Sequence, residues 1–235
     1  MKEITQIRKL SLWIFFIPLI AVNTCLLISV NHLLLDNTIF VVDQIGRSNF
    51  TIPYLDGSLS ISRASRTYPA FLVFKPTMVI TSILLYYYWN KNNLLINAIN
   101  HTSDKNYKFK IYGILSAIFL AIHALLLGVD VDLKIFKLLR RVILLSFIVF
   151  EIVAQGMLVY NFYKIKSKLQ GLFNPFVLNL KIILVSILAL TALLSLPTLL
   201  DKGNVHFKHA LEWNYFIGVI FFYFLTRLFW KKQTT

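Results

Sequence analysis

Long apolar windows are the main feature of the hydrophobic pattern along this chain. Two of them, residues 10 to 35 and 111 to 129, contain no Asp, Glu, Lys or Arg. Four more windows are as apolar except for one such residue each. A helix needs about 20 apolar residues to cross roughly 30 Å of hydrocarbon. The pattern therefore predicts an all-α polytopic membrane protein with six transmembrane helices, at about 10–33, 69–90, 110–130, 141–163, 176–200 and 207–230.

The polar segments between these windows predict the orientation of the helices. If the N-terminus is inside, the inner segments carry 13 Lys and Arg residues and the outer segments carry nine. Basic residues are enriched on the cytoplasmic side of membrane proteins. We therefore expect both termini inside, a long first extracytoplasmic loop at 34–68, and a short inner loop at 91–108. Residues 1–235 form a single transmembrane domain in this interpretation.

The first window also has features of a signal peptide. Basic residues at positions 2, 8 and 9 precede an apolar run, as in a secretory leader. The run is long for a leader, however, and Asn23-Thr24-Cys25 is a poor cleavage site. We interpret the window as a retained transmembrane helix.

Composition and charge support a membrane protein over other classes. The chain is 57% hydrophobic and 14% charged, which lies outside the range of soluble domains. Its net charge of +14 would indicate nucleic acid in a soluble chain. Here the basic excess flanks the predicted helices, where anionic lipid attracts it, so no nucleic-acid partner is expected. The single cysteine, Cys25, excludes an internal disulfide and a multi-cysteine zinc site.

The outer loop ends in an unusual hydroxyl-rich stretch, PYLDGSLSISRASRTYP, at 53–69. Its Asp-Gly pair predicts a tight turn at Gly57, because glycine adopts positive φ readily. Serines at alternate positions from 58 to 62 predict an extended strip on the membrane surface. Pro69 predicts the start of the second long helix, because proline is well tolerated in a first helical turn.

Two arginines in this stretch indicate binding of an anion. A guanidinium group matches a phosphate with two parallel hydrogen bonds, and neighbouring hydroxyls can complete the shell. The phosphates available at this depth belong to lipid head groups. The alternative is a solvated loop whose arginines only meet the interface. With residues at the outer ends of two helices included, the predicted lipid or anion site consists of Ser60, Ser62, Arg63, Arg66, Lys75 and Trp213.

Four ionisable residues lie inside predicted helices, where each costs about 2.5–3.5 kcal/mol on insertion scales. Glu151 and Gln155 are one turn apart and predict a polar stripe that faces the bundle interior. Lys75 and Glu212 both lie in the outer parts of their helices, and we expect them to pair. Lys181 is close enough to the inner end of its helix to reach the interface.

A second candidate site lies at the predicted outer ends of the third and sixth helices. Histidines and carboxylates there could bind a divalent metal, whose activated water could hydrolyse a lipid ester. The candidate metal ligands are His123, His206, His209 and Asp130. The candidate catalytic residues are His123, Glu151, His209 and Glu212. The chain has no His-Glu-x-x-His motif, and no cofactor is expected.

Aromatic residues cluster at the predicted helix ends. Trp and Tyr are enriched at both interfaces of a bilayer. We therefore interpret the tryptophans as interfacial anchors rather than as a cofactor site: Trp13, Trp89, Trp213 and Trp230.

Several short motifs, taken in their order along the chain, resemble those of the Frag1/DRAM/Sfk1 family of six-helix membrane proteins. The residues that carry the likeness are Pro53-Tyr54-Leu55-Asp56, Ser60-Ile61-Ser62, Pro69 and Leu211-Glu212-Trp213. The resemblance implies lipid handling or membrane organisation, and places Ser60, Ser62, Pro69, Glu212 and Trp213 on the functional face. The chain departs from the family pattern at Arg63, Arg66 and Lys75.

Together these observations predict an accessory protein that binds lipid head groups at the outer leaflet, with anionic or glycosylated lipids as partners. The first alternative is an intramembrane lipid hydrolase or acyl-transfer enzyme with a His/acid metal site. The second is a small-solute or proton-coupled transporter that uses Glu151 and Glu212 as relay carboxylates. The expected location is the inner or plasma membrane of a bacterium, or an endomembrane of a eukaryote.

Overall fold

The structure is a computed structural model that describes residues 2–35, 38, 51–101, 107–129, 133–200 and 203–231. All regular secondary structure in these ranges is helical, which confirms the all-α prediction. The described residues contain no strand, and only an isolated bridge joins Phe173 to Trp230. The candidate metal ligand Asp130 and most of the first half of the predicted outer loop lie outside the described residues.

The described chain forms six long helices and two short ones. The two short helices, α2 (Pro53–Asp56) and α3 (Ile61–Ser65), belong to the predicted outer loop. Single 3-10 turns cover His32–Leu35 and Lys166–Leu169. The long helices are α1 (Lys2–Val30), α4 (Ala70–Asn100), α5 (Lys108–Leu126), α6 (Lys134–Lys164), α7 (Pro175–Leu200) and α8 (Val205–Phe229).

The long helices form a closed bundle in which neighbours run in opposite directions. Each long helix contacts the next one along the chain, and α8 returns to contact α1. Arg8 near the start of α1 interacts electrostatically with Arg227 near the end of α8. The bridge between Phe173 and Trp230 likewise joins the start of α7 to the end of α8. One end of the bundle thus holds α2 and α3, and the opposite end holds the start of α1 and the end of α8.

Five of the long helices are long and apolar enough to cross a membrane. They are α1, α4, α5, the Leu138–Lys164 part of α6 and the Pro175–Ser195 part of α7. Only 28% to 44% of the residues in their most apolar windows are buried inside the bundle. Many of the remaining apolar side chains are exposed, which is unfavourable in water but not in hydrocarbon. These properties are those of an integral multi-pass membrane protein.

The bundle interior is rich in aromatic side chains. Tyr88, Trp89 and Tyr223 are in mutual edge-to-face contact at the centre of the bundle, with ring centroids 4.9 to 6.4 Å apart. Trp89, Trp213 and Trp230 are fully buried, so the prediction that they are interfacial anchors is wrong. Trp13 is 56% exposed, as an anchor would be. The sequence pattern missed this burial because a belt residue and a core residue can occupy the same position near a helix end.

The predicted turn at Gly57 is confirmed, and it follows a helical turn. Gly57 ends α2 with φ 59°, and its amide donates to the carbonyl of Pro53. The backbone of α8 lies directly against this glycine. A Cβ atom built on Gly57 would be 1.7 Å from the carbonyl oxygen of His206. Position 57 therefore requires glycine both for its conformation and for the close approach of two backbones.

We expect Gly57→Ala to separate α2 and α3 from α8. The positive φ alone costs a non-glycine residue about 1–3 kcal/mol, and the clash with His206 adds to that. Amide hydrogen exchange in residues 53–65 should accelerate. Gly171→Ala is the matched control, because Gly171 also has a positive φ but no atom lies within 4 Å of the added Cβ. Equal effects of the two substitutions would rule out the backbone contact as the cause.

The extended strip predicted for the alternating serines is wrong in its second half. Ser60 has extended backbone and is the N-cap of α3, and Ile61–Ser65 are helical. Serine is a strong N-cap residue, because its hydroxyl accepts a hydrogen bond from an amide of the first turn. That local bond outweighs the period-two pattern of such a short segment.

Candidate functional site

Residues 51–66, here called the cap, contain α2 and α3 and lie on the first turns of α8. The indole Nε1 of Trp213 donates to the carbonyl oxygen of Leu59 at 2.7 Å. The Trp213 ring also contacts the ring of Tyr54 edge to face, with centroids 4.8 Å apart. Asn214 Nδ2 donates to the carbonyl oxygen of Tyr54 at 2.7 Å. Helix α8 thus binds the backbone of the cap through two side-chain donors.

Two titratable residues on α8 also hold the cap. His209 Nδ1 lies 3.0 Å from the carbonyl oxygen of Gly57 and hydrogen-bonds to it. The carboxylate of Glu212 accepts hydrogen bonds from the backbone amides of Ile61 and Ser62, at the start of α3. The prediction from the sequence that Glu212 pairs with Lys75 is therefore wrong. Lys75 Nζ lies over the ring of Phe71 instead, 5.3 Å from its centroid.

The cap also contacts α1 on its other side. The hydroxyl of Tyr54 donates to Asn23 Oδ1 at 3.1 Å. Just beyond the cap, Cys25 Sγ donates to the carbonyl oxygen of Ala70 at 3.3 Å, within the interior of the protein. The cap is thus fixed between the end of α1 and the beginning of α8.

The predicted serines of the anion site have different environments. Ser60 is buried, and its hydroxyl accepts from the backbone amide of Arg63 at 3.2 Å. The Ser62 hydroxyl lies 3.4 Å from that of Ser60, and Ser62 is half-buried. Ser60 therefore has a structural role in capping α3, while Ser62 remains partly accessible at the surface.

The predicted arginines lie on the outer surface of the cap. Arg63 is exposed within α3, and Arg66 is exposed immediately after it. The backbone carbonyl of Arg66 lies close to Gly128, where an added Cβ would be only 2.8 Å from it. This contact brings the end of the cap against the end of α5. The guanidinium groups are thus carried by a segment that packs on both α8 and α5.

Asp56 closes the turn between α2 and α3. Its carboxylate accepts from the amide of Ser58 at 2.7 Å, the hydroxyl of Thr51 at 2.7 Å and the amide of Ile52 at 3.3 Å. Burial acts to raise the pKa of Asp56, but these hydrogen bonds to the charged form outweigh it and lower the pKa to about 2. The group is therefore a carboxylate at neutral pH that is committed to holding the turn.

The residues predicted to bind a metal are not assembled within the described part of the chain. There, no group of three or more His, Cys, Asp or Glu side chains is arranged to hold a metal ion. His123 is buried near the end of α5, and its Nδ1 has no hydrogen-bond partner. His206 is exposed, and His209 is used by the cap. Asp130 lies outside the described residues.

A second polar cluster is buried at the centre of the bundle, around Glu151. The predicted inward orientation of Glu151 and Gln155 is confirmed, because they are 1% and 0% exposed. Gln155 Nε2 donates to Glu151 Oε1 at 3.0 Å, and the hydroxyl of Tyr223 hydrogen-bonds to the same oxygen. Ser116 Oγ lies 2.5 Å from Glu151 Oε2. One carboxyl group thus joins α5, α6 and α8.

Lys181 is fully buried, so the prediction that it reaches the interface is wrong. Its Nζ donates to Thr226 Oγ1 at 2.6 Å and lies 3.8 Å from the centroid of the Phe222 ring. The hydroxyl of Tyr88 lies 3.1 Å from the same Thr226 oxygen. Helix α8 provides a hydroxyl and an aromatic face at this depth, which stabilise the lysine inside the bundle.

Sequence reasoning missed several residues that build these two sites. Ser116, Tyr223 and Thr226 bind the buried ionisable groups, and Asn214 binds the cap. Each is a polar residue within or beside an apolar window, which is a usable signal for an inward-facing position. The signal does not reveal the partner, because the pairs are 35 to 160 residues apart in the chain.

No family model, curated protein or solved structure matches this chain. Two features of the molecule itself therefore bear on its function. One is the cap with its exposed arginines, and the other is the buried polar cluster around Glu151.

Proposed function

We propose that this protein binds the phosphate-bearing head groups of membrane lipids through its cap, in an accessory or organising role rather than a catalytic one. The observation that carries the proposal is the placement of Arg63 and Arg66. Both are exposed on a segment that α1, α5 and α8 hold at the end of an apolar bundle. Guanidinium groups at the level of lipid phosphates form charge-assisted, bidentate hydrogen bonds.

The hydrogen bonds that hold the cap favour a rigid binding site over a mobile loop. Trp213, His209 and Asn214 bond to backbone carbonyls of the cap, and Glu212 bonds to its amides. These bonds leave the arginine side chains on the outer face. A site that is ordered before the ligand arrives binds more tightly, because less conformational entropy is lost. Of the residues that the resemblance to the Frag1/DRAM/Sfk1 family implies are functional, Ser60 and Ser62 belong to the cap, and Glu212 and Trp213 bond to its backbone.

We further propose that α8 is the sixth transmembrane helix and that both termini are cytoplasmic. Helix α8 contacts both α1 and α7 and contributes eight buried residues to the bundle. Its first turns are less apolar than the other spans because they hold the cap. The excess of Lys and Arg at the terminal end supports this orientation. The cap then faces the outer leaflet.

Native mass spectrometry of the full chain, purified with an anionic phospholipid, tests the binding proposal. The double substitution Arg63→Ala and Arg66→Ala should lower the retained lipid about tenfold, since a hydrogen bond to a charged group contributes about 1.5–3 kcal/mol. Lys164→Ala with Lys166→Ala is the matched control. It removes the same charge from exposed residues at the opposite end of the bundle and should leave retention almost unchanged.

Two outcomes would contradict the proposal. Equal lipid loss in both double variants would mean that only net charge matters. A stoichiometric divalent ion that disappears with His209→Ala would instead support the alternative of a metal-dependent lipid enzyme.

A further inference from the structure

The hydrogen bonds around Glu151 cannot all be made by a carboxylate. Ser116 Oγ lies 2.5 Å from Glu151 Oε2 and also 2.8 Å from the backbone carbonyl oxygen of Gly113. Both neighbours would be acceptors if Glu151 were ionised. A serine hydroxyl has one hydrogen, so it can donate to only one of them. The other oxygen pair would then be in close contact with no hydrogen between the two atoms.

A proton on Glu151 Oε2 resolves this conflict. The carboxylic acid then donates to Ser116 Oγ, and the Ser116 hydroxyl donates to the carbonyl of Gly113. Bonding of a serine to the carbonyl of the preceding helical turn is a common local arrangement. Every short oxygen contact in this part of the cluster then contains one hydrogen.

The other carboxyl oxygen behaves as the carbonyl of a carboxylic acid. Glu151 Oε1 accepts from Gln155 Nε2 and from the Tyr223 hydroxyl. The second hydrogen of Gln155 Nε2 is directed to the carbonyl oxygen of Val219, 3.2 Å away. The two oxygens of Glu151 therefore differ in role. Oε2 carries the hydrogen that is donated to Ser116, and Oε1 accepts two hydrogen bonds.

Among the described residues, the charged and titratable groups around Glu151 supply no counter-charge in direct contact. Helix α5 contributes Ser116, and α8 contributes Tyr223. Helix α4 contributes Tyr88, which interacts electrostatically with Glu151. Lys181 of α7 donates to Thr226 of α8 rather than to Glu151. A buried carboxylate without an adjacent cation is strongly disfavoured in an apolar interior, so these surroundings also favour the neutral acid.

We propose that Glu151 is a proton-binding site in the centre of the bundle, occupied by one proton in this conformation. The protonated carboxyl group links α5, α6 and α8. Release of the proton would turn the Ser116 hydroxyl away from Gly113 and leave a negative charge between the three helices. Proton binding at Glu151 is therefore coupled to the packing of α5 against α6 and α8. This proposal is independent of lipid binding by the cap.

Infrared spectroscopy of the purified full chain tests the proposal, because a carboxylic acid and a carboxylate have separate stretching bands. At neutral pH, the difference between wild type and Glu151→Gln should show a carboxylic-acid band that Glu151 provides. Asp56→Asn is the matched control, because Asp56 is a carboxylate at neutral pH, and it should leave that band in place. Thermal melting of each variant checks that the bundle is folded; glutamine can donate to Ser116 and accept from Tyr223 as the acid does.

Ser116→Ala gives a second test on the native Glu151 side chain. If the acid donates to Ser116, loss of this acceptor shifts the carbonyl stretching band of the Glu151 acid to a higher frequency at neutral pH, because hydrogen bonding lowers that frequency. If Ser116 donates to a carboxylate, the acid region shows no such shift and only carboxylate bands change. The second result, or carboxylate bands in place of the acid band in the Glu151→Gln difference, would overturn the proposal.

Discussion

Replacing Trp213 by alanine is expected to detach the cap from α8 and to cost about 3–5 kcal/mol of stability. Trp213 is fully buried, packs against Tyr54 and bonds to the carbonyl of Leu59. Its removal opens a large cavity and leaves the carbonyl without its donor. Amide hydrogen exchange in the cap should accelerate strongly, and the melting temperature in detergent should fall.

Two further variants separate the contributions of Trp213. Trp213→Phe retains an aromatic ring against Tyr54 but loses the donor, so its cost should be about 1–3 kcal/mol. Trp13→Ala is the matched control, because Trp13 is 56% exposed on α1, and it should have little effect on the cap. Unchanged exchange rates in Trp213→Ala would mean that the cap is held by its other contacts alone.

The second large effect is expected for Gly113→Ala, at the contact between α4 and α5. A Cβ atom added to Gly113 would lie 2.3 to 2.5 Å from three ring atoms of Trp89. Trp89 is fully buried and packs against Tyr88 and Tyr223, so its ring has little room to move. Overpacking of this kind costs about 1–3 kcal/mol, and occasionally more. The melting temperature should fall.

Gly156→Ala is the matched control for Gly113→Ala. Gly156 also lies inside a long helix, but its added Cβ would be 3.4 Å from Val185, which is a tolerable contact. Alanine is favoured over glycine in a helix by about 0.8–1.0 kcal/mol, so this variant should be neutral or more stable. If both variants melt at the same temperature, the close packing of Trp89 on α5 is not a constraint on the bundle.

The positions of the helices were largely predictable from the sequence, and their ends were not. The predicted helix at 69–90 is α4, which continues to Asn100 and ends where His101 adopts a left-handed conformation. Residues 91–100 were expected to belong to a loop because they are rich in Asn and Lys. Hydropathy reports which residues lipid can surround, and a helix can continue into water beyond that length.

The inward orientation of Glu151 could be predicted without knowing which residues it contacts. An ionisable group facing hydrocarbon is too costly, so a polar stripe on a spanning helix must face the bundle. The location of Lys181 was not predictable in the same way. Reaching the interface and bonding to a buried hydroxyl are both open to a lysine amino group, and only the packing of α7 against α8 brings Thr226 within 2.6 Å.

The sequence by itself therefore determined the class of the molecule, the approximate helices and the glycine turn at position 57. These follow from local requirements: burial of apolar surface in lipid over a fixed thickness, and a backbone conformation that glycine adopts easily. Only the tertiary structure decided that Trp213 and Glu212 hold the cap and that Ser116 Oγ lies 2.5 Å from Glu151 Oε2. Such contacts join residues far apart in the chain, and their geometry depends on how the helices pack.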